Sequence, residues 1–256
     1  MAKIYSITNQ KGGVGKTTTS INLAASLVAM KRKVLLIDLD PQGNATMGCG
    51  VDKNDVELSV YDLLVQQTPA VEVICKSASG IDVIPANSDL TAAEVELLDV
   101  KMKEMRLSYH LANIKDQYDY VLIDCPPSLN MLTVNALCAS DGVIIPMQCE
   151  YFALEGLADL IQTVQNISKV ANPKLEIEGV LRTMYDPRNS LTKDVSEQLA
   201  EYFPDKLYET VIPRNVRLAE APSHGLPIIQ YDKSSKGAMS YLALAGEILR
   251  RHKETK

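Results

Sequence analysis

Residues 10–19, with the sequence QKGGVGKTTT, constrain the fold of this chain more than any other stretch. An apolar run at residues 4–7 precedes them and a helical pattern at residues 20–30 follows them, so the loop joins a predicted strand to a predicted helix. Its glycines, Gly12, Gly13 and Gly15, let the backbone adopt positive φ and approach a ligand without an intervening Cβ. The N–H groups of such a loop and the first turn of the next helix attract anions. The stretch therefore predicts a phosphate-binding loop.

The loop contains two lysines with different predicted roles. In the pattern G-x-x-x-x-G-K-[ST], Lys16 is the residue that reaches the β- and γ-phosphates, and Thr17 places its hydroxyl on Mg²⁺. Gln10 stands where the first glycine of the pattern belongs, and Lys11 follows it as an additional cation. The loop residues expected to contact phosphates from this pattern are Gly12, Gly13, Val14, Gly15, Lys16, Thr17 and Thr18.

The rest of the chain alternates apolar strand patterns with helical patterns. Strands are predicted at residues 33–38, 81–85, 119–124, 142–146 and 175–184, and helices at residues 154–170, 191–202 and 237–252. A long helical segment, with a break possible inside it, is predicted from residue 90 to about 118. This alternation predicts an α/β fold, a single doubly wound and mostly parallel sheet with helices on both faces, in one domain spanning residues 1–256. Together with the phosphate-binding loop at residues 10–19, it indicates a fold of the P-loop NTPase type.

Acidic residues follow two of the predicted strands. Asp38 and Asp40 come at the end of the strand at 33–38, in a turn that continues with Pro-Gln-Gly-Asn. Asp124 ends the strand at 119–124 and is followed by Cys-Pro-Pro-Ser. Because α/β sheets place their ligands at the carboxyl ends of parallel strands, these acids are expected beside the phosphate-binding loop.

Together with the segment I-P-R-N-V-R-L-x-E-A-P-S-x-G-x-P at 212–227, these motifs resemble the ParA/Soj chromosome-partitioning ATPases of the deviant Walker A, ParA/MinD class. The resemblance runs from residue 4 to the last helix. It implies ATP and Mg²⁺ as ligands, ATP hydrolysis, and a homodimer in which Lys11 of each protomer reaches the phosphates bound by the other. It also implies that Asp40 orients the attacking water, that Asp38 and Asp124 support Thr17 and Mg²⁺, and that the adenine is bordered by Pro213, Arg214 and Asn215.

The same resemblance implies binding of the ATP dimer to double-stranded DNA without sequence specificity, and stimulation of hydrolysis by a ParB/Spo0J-type partner. Arg188 and Arg217 match the DNA-binding arginines of the family. A net charge of −6 argues against a surface that is basic throughout, yet residues 182–256 carry 12 Lys and Arg against 10 Asp and Glu. We therefore expect a cytoplasmic, nucleoid-associated protein.

Three alternatives remain open at this point. A MinD-like membrane-cycling ATPase needs a free amphipathic C-terminal helix, whereas the apolar face of the last predicted helix is rich in small residues and is expected to pack on the sheet. An iron–sulfur protein of the same superfamily needs paired cysteines, and the five cysteines contain no C-x-x-C. A nucleotide-binding scaffold without activity conflicts with the joint presence of Lys11, Lys16, Asp40 and Asp124.

Overall fold

The computed structural model describes residues 2–151 and 153–254, and the strands among them form one eight-stranded sheet. The strands are β1 (Lys3–Ile7), β2 (Val34–Asp38), β3 (Cys75–Lys76), β4 (Asp82–Ile84), β5 (Tyr120–Asp124), β6 (Gly142–Gln148), β7 (Glu176–Tyr185) and β8 (Leu207–Pro213). Their spatial order is β3-β4-β2-β5-β1-β6-β7-β8. Every neighbouring pair is parallel except β3 and β4.

The central strands are buried on both faces, which explains their continuously apolar sequences. All five residues of β2 and all five of β5 are buried. β1 lies between β5 and β6, and the chain leaves it first towards β2 on one side and later reaches β6 on the other. Ligands of open α/β sheets bind at such a reversal of strand order, beyond the carboxyl ends of the strands.

Helices and short helical turns connect these strands. The α-helices are α1 (Lys16–Ala29), α2 (Asn44–Gly48), α3 (Ala70–Val73), α4 (Leu90–Glu96), α5 (Arg106–Ala112), α6 (Met131–Ala139), α7 (Ala153–Val170), α8 (Ser190–Tyr202), α9 (Val216–Glu220), α10 (Ile228–Tyr231) and α11 (Lys236–Glu254). A π-helical turn covers Asp62–Gln66, and 3₁₀ turns cover Leu97–Asp99, Lys103–Met105, Lys115–Gln117 and Ala221–His224. No helix in the described part of the chain is long and apolar enough to cross a membrane.

Apolar cores lie on both faces of the sheet. On one face, α1 and α11 cover side chains such as Tyr5 and Ile7 of β1. On the other face, α4, α5 and α6 cover β2 and β5, while α7 and α8 cover β6 and β7. The doubly wound α/β fold expected from the sequence is confirmed. Tyr241, Leu244 and Ile248 of α11 are buried in the first core, so its apolar face packs on the sheet as expected.

The break allowed for in the helical segment from residue 90 to about 118 is present, because α4 and α5 are separated by 3₁₀ turns and Met102 adopts a left-handed φ of 53°. The predicted elements differ from the structure at two strands. The short antiparallel β3 and the edge strand β8 had no predicted counterpart. Both lie at the edges of the sheet, where half of the strand faces solvent and the apolar signal is weak.

Candidate functional site

The loop between β1 and α1 has the conformation of an anion-binding nest. Gly13 and Gly15 adopt φ of 72° and 87°, which only glycine reaches without strain. Nothing lies within 4 Å of the position that a Cβ would take at Gly12 or Gly13, so this side of the loop is open. Within the described residues, no protein atom accepts a hydrogen bond from the N–H of Gly13 or Gly15. These donors are therefore available to an anion.

Lys16 lies inside this loop. Its ammonium donates a hydrogen bond to the carbonyl oxygen of Lys11 at 3.0 Å, and only 7% of the residue is exposed. Burial lowers the pKa of Lys16, and the neighbouring Asp124, Cys125 and Asp40 oppose that effect. A cation is thus held at the centre of the nest, where the sequence predicted contact with phosphates.

Two buried carboxylates lie side by side beneath the loop. Asp38 ends β2 and Asp124 ends β5, and the two residues are register partners on adjacent strands. Asp124 accepts hydrogen bonds from the hydroxyls of Thr17 at 2.8 Å and Ser20 at 2.7 Å. Asp38 accepts from the backbone N–H and the hydroxyl of Thr46, both at 2.8 Å. The structure therefore brings Lys16, Thr17, Asp38 and Asp124 together, although 107 residues of sequence separate Thr17 from Asp124.

Burial changes the proton affinity of these acids. It raises the pKa of Asp124 to about 8, and repulsion from Asp38 adds to the increase. It also raises the pKa of Asp38 to about 6, against the hydrogen bonds from Thr46. Two negative charges are unfavourable here unless a cation compensates them.

The chemistry of this donor set fits Mg²⁺ bound together with a nucleotide. No group of three or more His, Cys, Asp or Glu side chains able to hold a metal occurs in the described residues. In nucleotide sites, however, Mg²⁺ is held through one or two carboxylates, phosphate oxygens and water rather than by a protein cage. A hydroxyl next to two buried, mutually repelling carboxylates supplies the protein's share of such a site.

Lys11 lies on the outer side of the loop. Its ammonium forms an ion pair with Glu150 at 2.5 Å, and the two side chains are 45% and 51% exposed. Its backbone N–H donates to the side-chain oxygen of Asn9 at 2.9 Å, and the side-chain amide of Asn9 donates to the carbonyl of Pro146 at 2.8 Å. Lys11 is therefore half-exposed and paired with an acid, whereas Lys16 is buried within the loop.

Asp40 lies in the turn after β2. Its backbone N–H donates to Asp38 at 3.1 Å, and one of its carboxylate oxygens accepts from the N–H of Gln42 at 2.9 Å. Within the described chain its other carboxylate oxygen has no hydrogen-bond partner. Asp40 thus lies at the same edge of the sheet as the other acids, with one oxygen free for a ligand.

The remaining site residues predicted from sequence lie at or beyond the ends of β7 and β8. Pro213 ends β8 and is a register partner of Tyr185, and Arg214 follows it. Asn215 caps α9 by accepting a hydrogen bond from the N–H of Arg217 at 2.9 Å. These positions are at the carboxyl edge of the sheet, where an adenine beside the nest is expected.

The two candidate DNA-binding arginines are exposed and already paired with acids. Arg188 donates two hydrogen bonds to Asp186, at 2.9 and 2.8 Å, and its side chain is 89% exposed. Arg217 pairs with Glu220 at 2.8 Å and lies 3.7 Å from Asp232. These pairs reduce the net positive charge that each arginine presents to a phosphate backbone.

Sequence reasoning missed several residues that hold the site together. Ser20 follows Thr17 by three positions on α1, so helical periodicity could have placed both hydroxyls on one face. Thr46 and Glu150 come from other segments, and no local pattern marks them. The Thr183 hydroxyl, at the end of β7, donates to the carbonyl of Val14 in the loop at 2.8 Å, and nothing in the sequence near it indicates this contact.

Known proteins resemble this chain in sequence and in fold. A family model described as an AAA domain matches residues 2–177. The sporulation initiation inhibitor protein Soj of Bacillus subtilis (strain 168) is 56% identical over 249 residues, which cover 97% of this chain and 98% of Soj. The chromosome partitioning protein ParA of Caulobacter vibrioides (strain NA1000 / CB15N) is 49% identical over 255 residues, which cover 98% of this chain and 96% of ParA.

Among solved structures, cobyrinic acid a,c-diamide synthase of Mycobacterium smegmatis with bound ADP and magnesium superposes with a TM-score of 0.86. It is 35% identical, and the match covers 100% of this chain and 97% of that one. With the nest, the two lysines and the paired acids in place, this chain belongs to the ParA/Soj family of P-loop ATPases.

Proposed function

We propose that this chain is a chromosome- or plasmid-partitioning ATPase that acts as one P-loop domain over residues 1–256. It binds ATP with Mg²⁺ and hydrolyses it to ADP and phosphate. The observation that carries the proposal is the position of two lysines in one phosphate-binding loop, with Lys16 inside the nest and Lys11 on its outer side. One lysine suffices to bind phosphates, so the second indicates a step that depends on a partner.

Lys11 is proposed to act on the nucleotide of a second copy of the chain. Its ammonium is held by Glu150 in an exposed ion pair, which adds little stability and is easily exchanged for a phosphate. In a dimer that encloses two nucleotides, each Lys11 adds a positive charge to the opposite site. A cation that arrives only with the partner stabilises the charge of the transition state only in the dimer, as an arginine finger does.

The other site residues are proposed to serve either nucleotide binding or hydrolysis. The loop N–H groups and Lys16 hold the β- and γ-phosphates, while Thr17, Asp38 and Asp124 face Mg²⁺, which neutralises phosphate charge when bound. Asp40, with its free oxygen near these acids, orients the attacking water. Pro213, Arg214 and Asn215 border the adenine.

DNA binding is proposed for the ATP dimer. Arg188, on the loop between β7 and α8, and Arg217, in the first turn of α9, are both exposed, and dimerisation doubles the number of phosphate contacts. A ParB/Spo0J-type partner is proposed to stimulate hydrolysis and so release the DNA. This cycle places the protein in the cytoplasm, on the nucleoid.

The test compares two variants for which the proposed roles predict opposite behaviour. Lys11→Ala should bind ATP as a monomer but lose the ATP-dependent dimer, because its charge is needed on the other protomer. Asp40→Ala should dimerise with ATP and remain dimeric, because only the water-orienting group is removed. Size-exclusion chromatography with ATP and Mg²⁺ measures both, and Lys174→Ala, an exposed lysine outside the site, is the matched control.

ATP turnover is measured in parallel, with and without DNA and a ParB-type protein. The proposal requires slow basal turnover that both additions together increase, and no nucleotide binding by Lys16→Ala. Identical behaviour of Lys11→Ala and Asp40→Ala in chromatography would refute the division of roles.

The MinD-like alternative finds less support. The face of α11 formed by Ala238, Tyr241, Leu244, Ala245 and Ile248 is buried against the sheet, so that face is not available to a bilayer. Pelleting with anionic liposomes in the presence of ATP distinguishes the two functions, since a membrane-cycling ATPase sediments with the lipid.

A further inference from the structure

Near its carboxyl end, strand β7 contacts the phosphate-binding loop through a buried threonine. The Thr183 hydroxyl donates to the carbonyl oxygen of Val14 at 2.8 Å. Thr183 is 3% exposed and Val14 is 1% exposed, so water does not compete for this hydrogen bond. The Thr183 methyl group lies 3.8 Å from the position that a Cβ would take at Gly15. The contact joins residues 169 positions apart, and Thr183 belongs to none of the motifs found in the sequence.

This hydrogen bond fixes the orientation of one peptide group. In a planar trans peptide, the C=O of one residue and the N–H of the next point in opposite directions. Since Thr183 holds the Val14 carbonyl towards β7, the Gly15 N–H points away from β7. That N–H donates to no protein acceptor in the described chain.

Without this hydrogen bond, the Val14–Gly15 peptide plane is free to rotate. Glycine adopts positive and negative φ with similar ease, so on the glycine side the plane of the Val14–Gly15 peptide can rotate at low cost while the peptide bond itself stays trans. A reversed peptide would direct the Val14 carbonyl, instead of the Gly15 N–H, at the phosphates. One donor would then be replaced by a negative dipole end, which repels an anion.

We propose that Thr183 is a positioning residue for the ATPase reaction, whose hydroxyl holds the Val14–Gly15 peptide with its N–H facing the nucleotide phosphates. Thr183 acts through the loop and does not itself touch the nucleotide. The proposal rests on the proposed function to the extent that the bound anion is a nucleoside triphosphate.

Three substitutions separate positioning from packing. Thr183→Val keeps the volume and removes the hydroxyl, and it should weaken the binding of both ADP and ATP about tenfold, the effect of losing one hydrogen bond from the loop to a charged phosphate. Thr183→Ser keeps the hydroxyl and should stay within about twofold of the wild type. Ser140→Ala is the matched control, because it removes a buried hydroxyl that donates to a backbone carbonyl, that of Ala136 at 2.7 Å, away from the loop.

Nucleotide affinity is measured by isothermal titration calorimetry, and the urea midpoint of the nucleotide-free protein is measured beside it. Positioning predicts a large loss of affinity for Thr183→Val and a urea midpoint close to that of Ser140→Ala. If Thr183→Val cannot be purified, Thr183→Ala serves in its place with the same expectation.

The outcomes are distinct. Normal affinity in Thr183→Val with a lowered urea midpoint would overturn the assignment and leave Thr183 a packing residue. Equal losses in the valine and serine variants would also overturn it, because the hydroxyl would then be irrelevant. A wild type that binds no ATP would overturn the proposed function itself, and with it this assignment.

Discussion

Replacing Asp124 with asparagine should stabilise the nucleotide-free protein, increasingly so as the pH rises. Asp124 is fully buried, and its pKa of about 8 lies well above the 3.8 of an exposed aspartate. The unfolded chain therefore releases this proton at a lower pH than the folded chain does. Stability is lost between about pH 4 and pH 8 as a result, and a neutral asparagine removes that loss.

The magnitude follows from this pKa difference. Each pKa unit corresponds to about 1.4 kcal/mol, so the gain from Asp124→Asn between pH 5 and pH 8 has an upper limit of about 4 kcal/mol. Relaxation around a buried charge lowers the penalty of ionisation, and we expect about 2 kcal/mol. The side-chain amide of the asparagine can still accept a hydrogen bond from one of the two neighbouring hydroxyls, those of Thr17 and Ser20, and donate one to the other.

Urea unfolding of both proteins at pH 5, 6, 7 and 8, without nucleotide and with a chelator present, measures this difference. Asp116→Asn, at an exposed carboxylate away from the site, is the control and should give no such trend. With Mg²⁺ and ATP added the ranking should reverse, because the wild type alone has the full set of groups that face the metal. An effect of Asp124→Asn that is constant from pH 5 to pH 8, or a destabilisation that grows with pH, would refute the reasoning.

Two further predictions concern the DNA face and the packing of the sheet. In the ATP-trapped Asp40→Ala background, alanine at Arg188 or Arg217 should weaken binding equally for all DNA sequences and flatten its salt dependence, measured by filter binding. An unchanged dependence of DNA affinity on salt would mean that these arginines only form ion pairs with their acidic neighbours and do not contact DNA. Gly179→Ala should destabilise the protein by about 1–3 kcal/mol in urea unfolding, because a Cβ there would lie 2.4 Å from a tyrosine ring. Gly156→Ala in α7, with nothing within 4 Å, should instead stabilise it slightly. Similar effects at both glycines would contradict this explanation.

The sequence alone determined the parts of this protein that depend on neighbours in the chain. The spacing of the glycines and of Lys16 defines the nest, since a few adjacent backbone groups form it. The apolar runs that end in Asp38 and Asp124 placed both acids at the carboxyl edge of a parallel sheet, since the direction of a strand follows from its connections. The α/β fold was predictable for the same reason.

The tertiary structure alone decided how these parts meet. Because β5 lies between β1 and β2, Asp124 is next to Asp38 and below Thr17, and no local pattern contains that strand order. The increased pKa of the acid pair is a property of burial, which exists only after folding. The same holds for Thr183, whose hydroxyl reaches Val14 because the packing of β7 brings a distant residue against the loop. Local sequence encodes conformation, whereas side-chain partners across a sheet depend on how the whole chain packs.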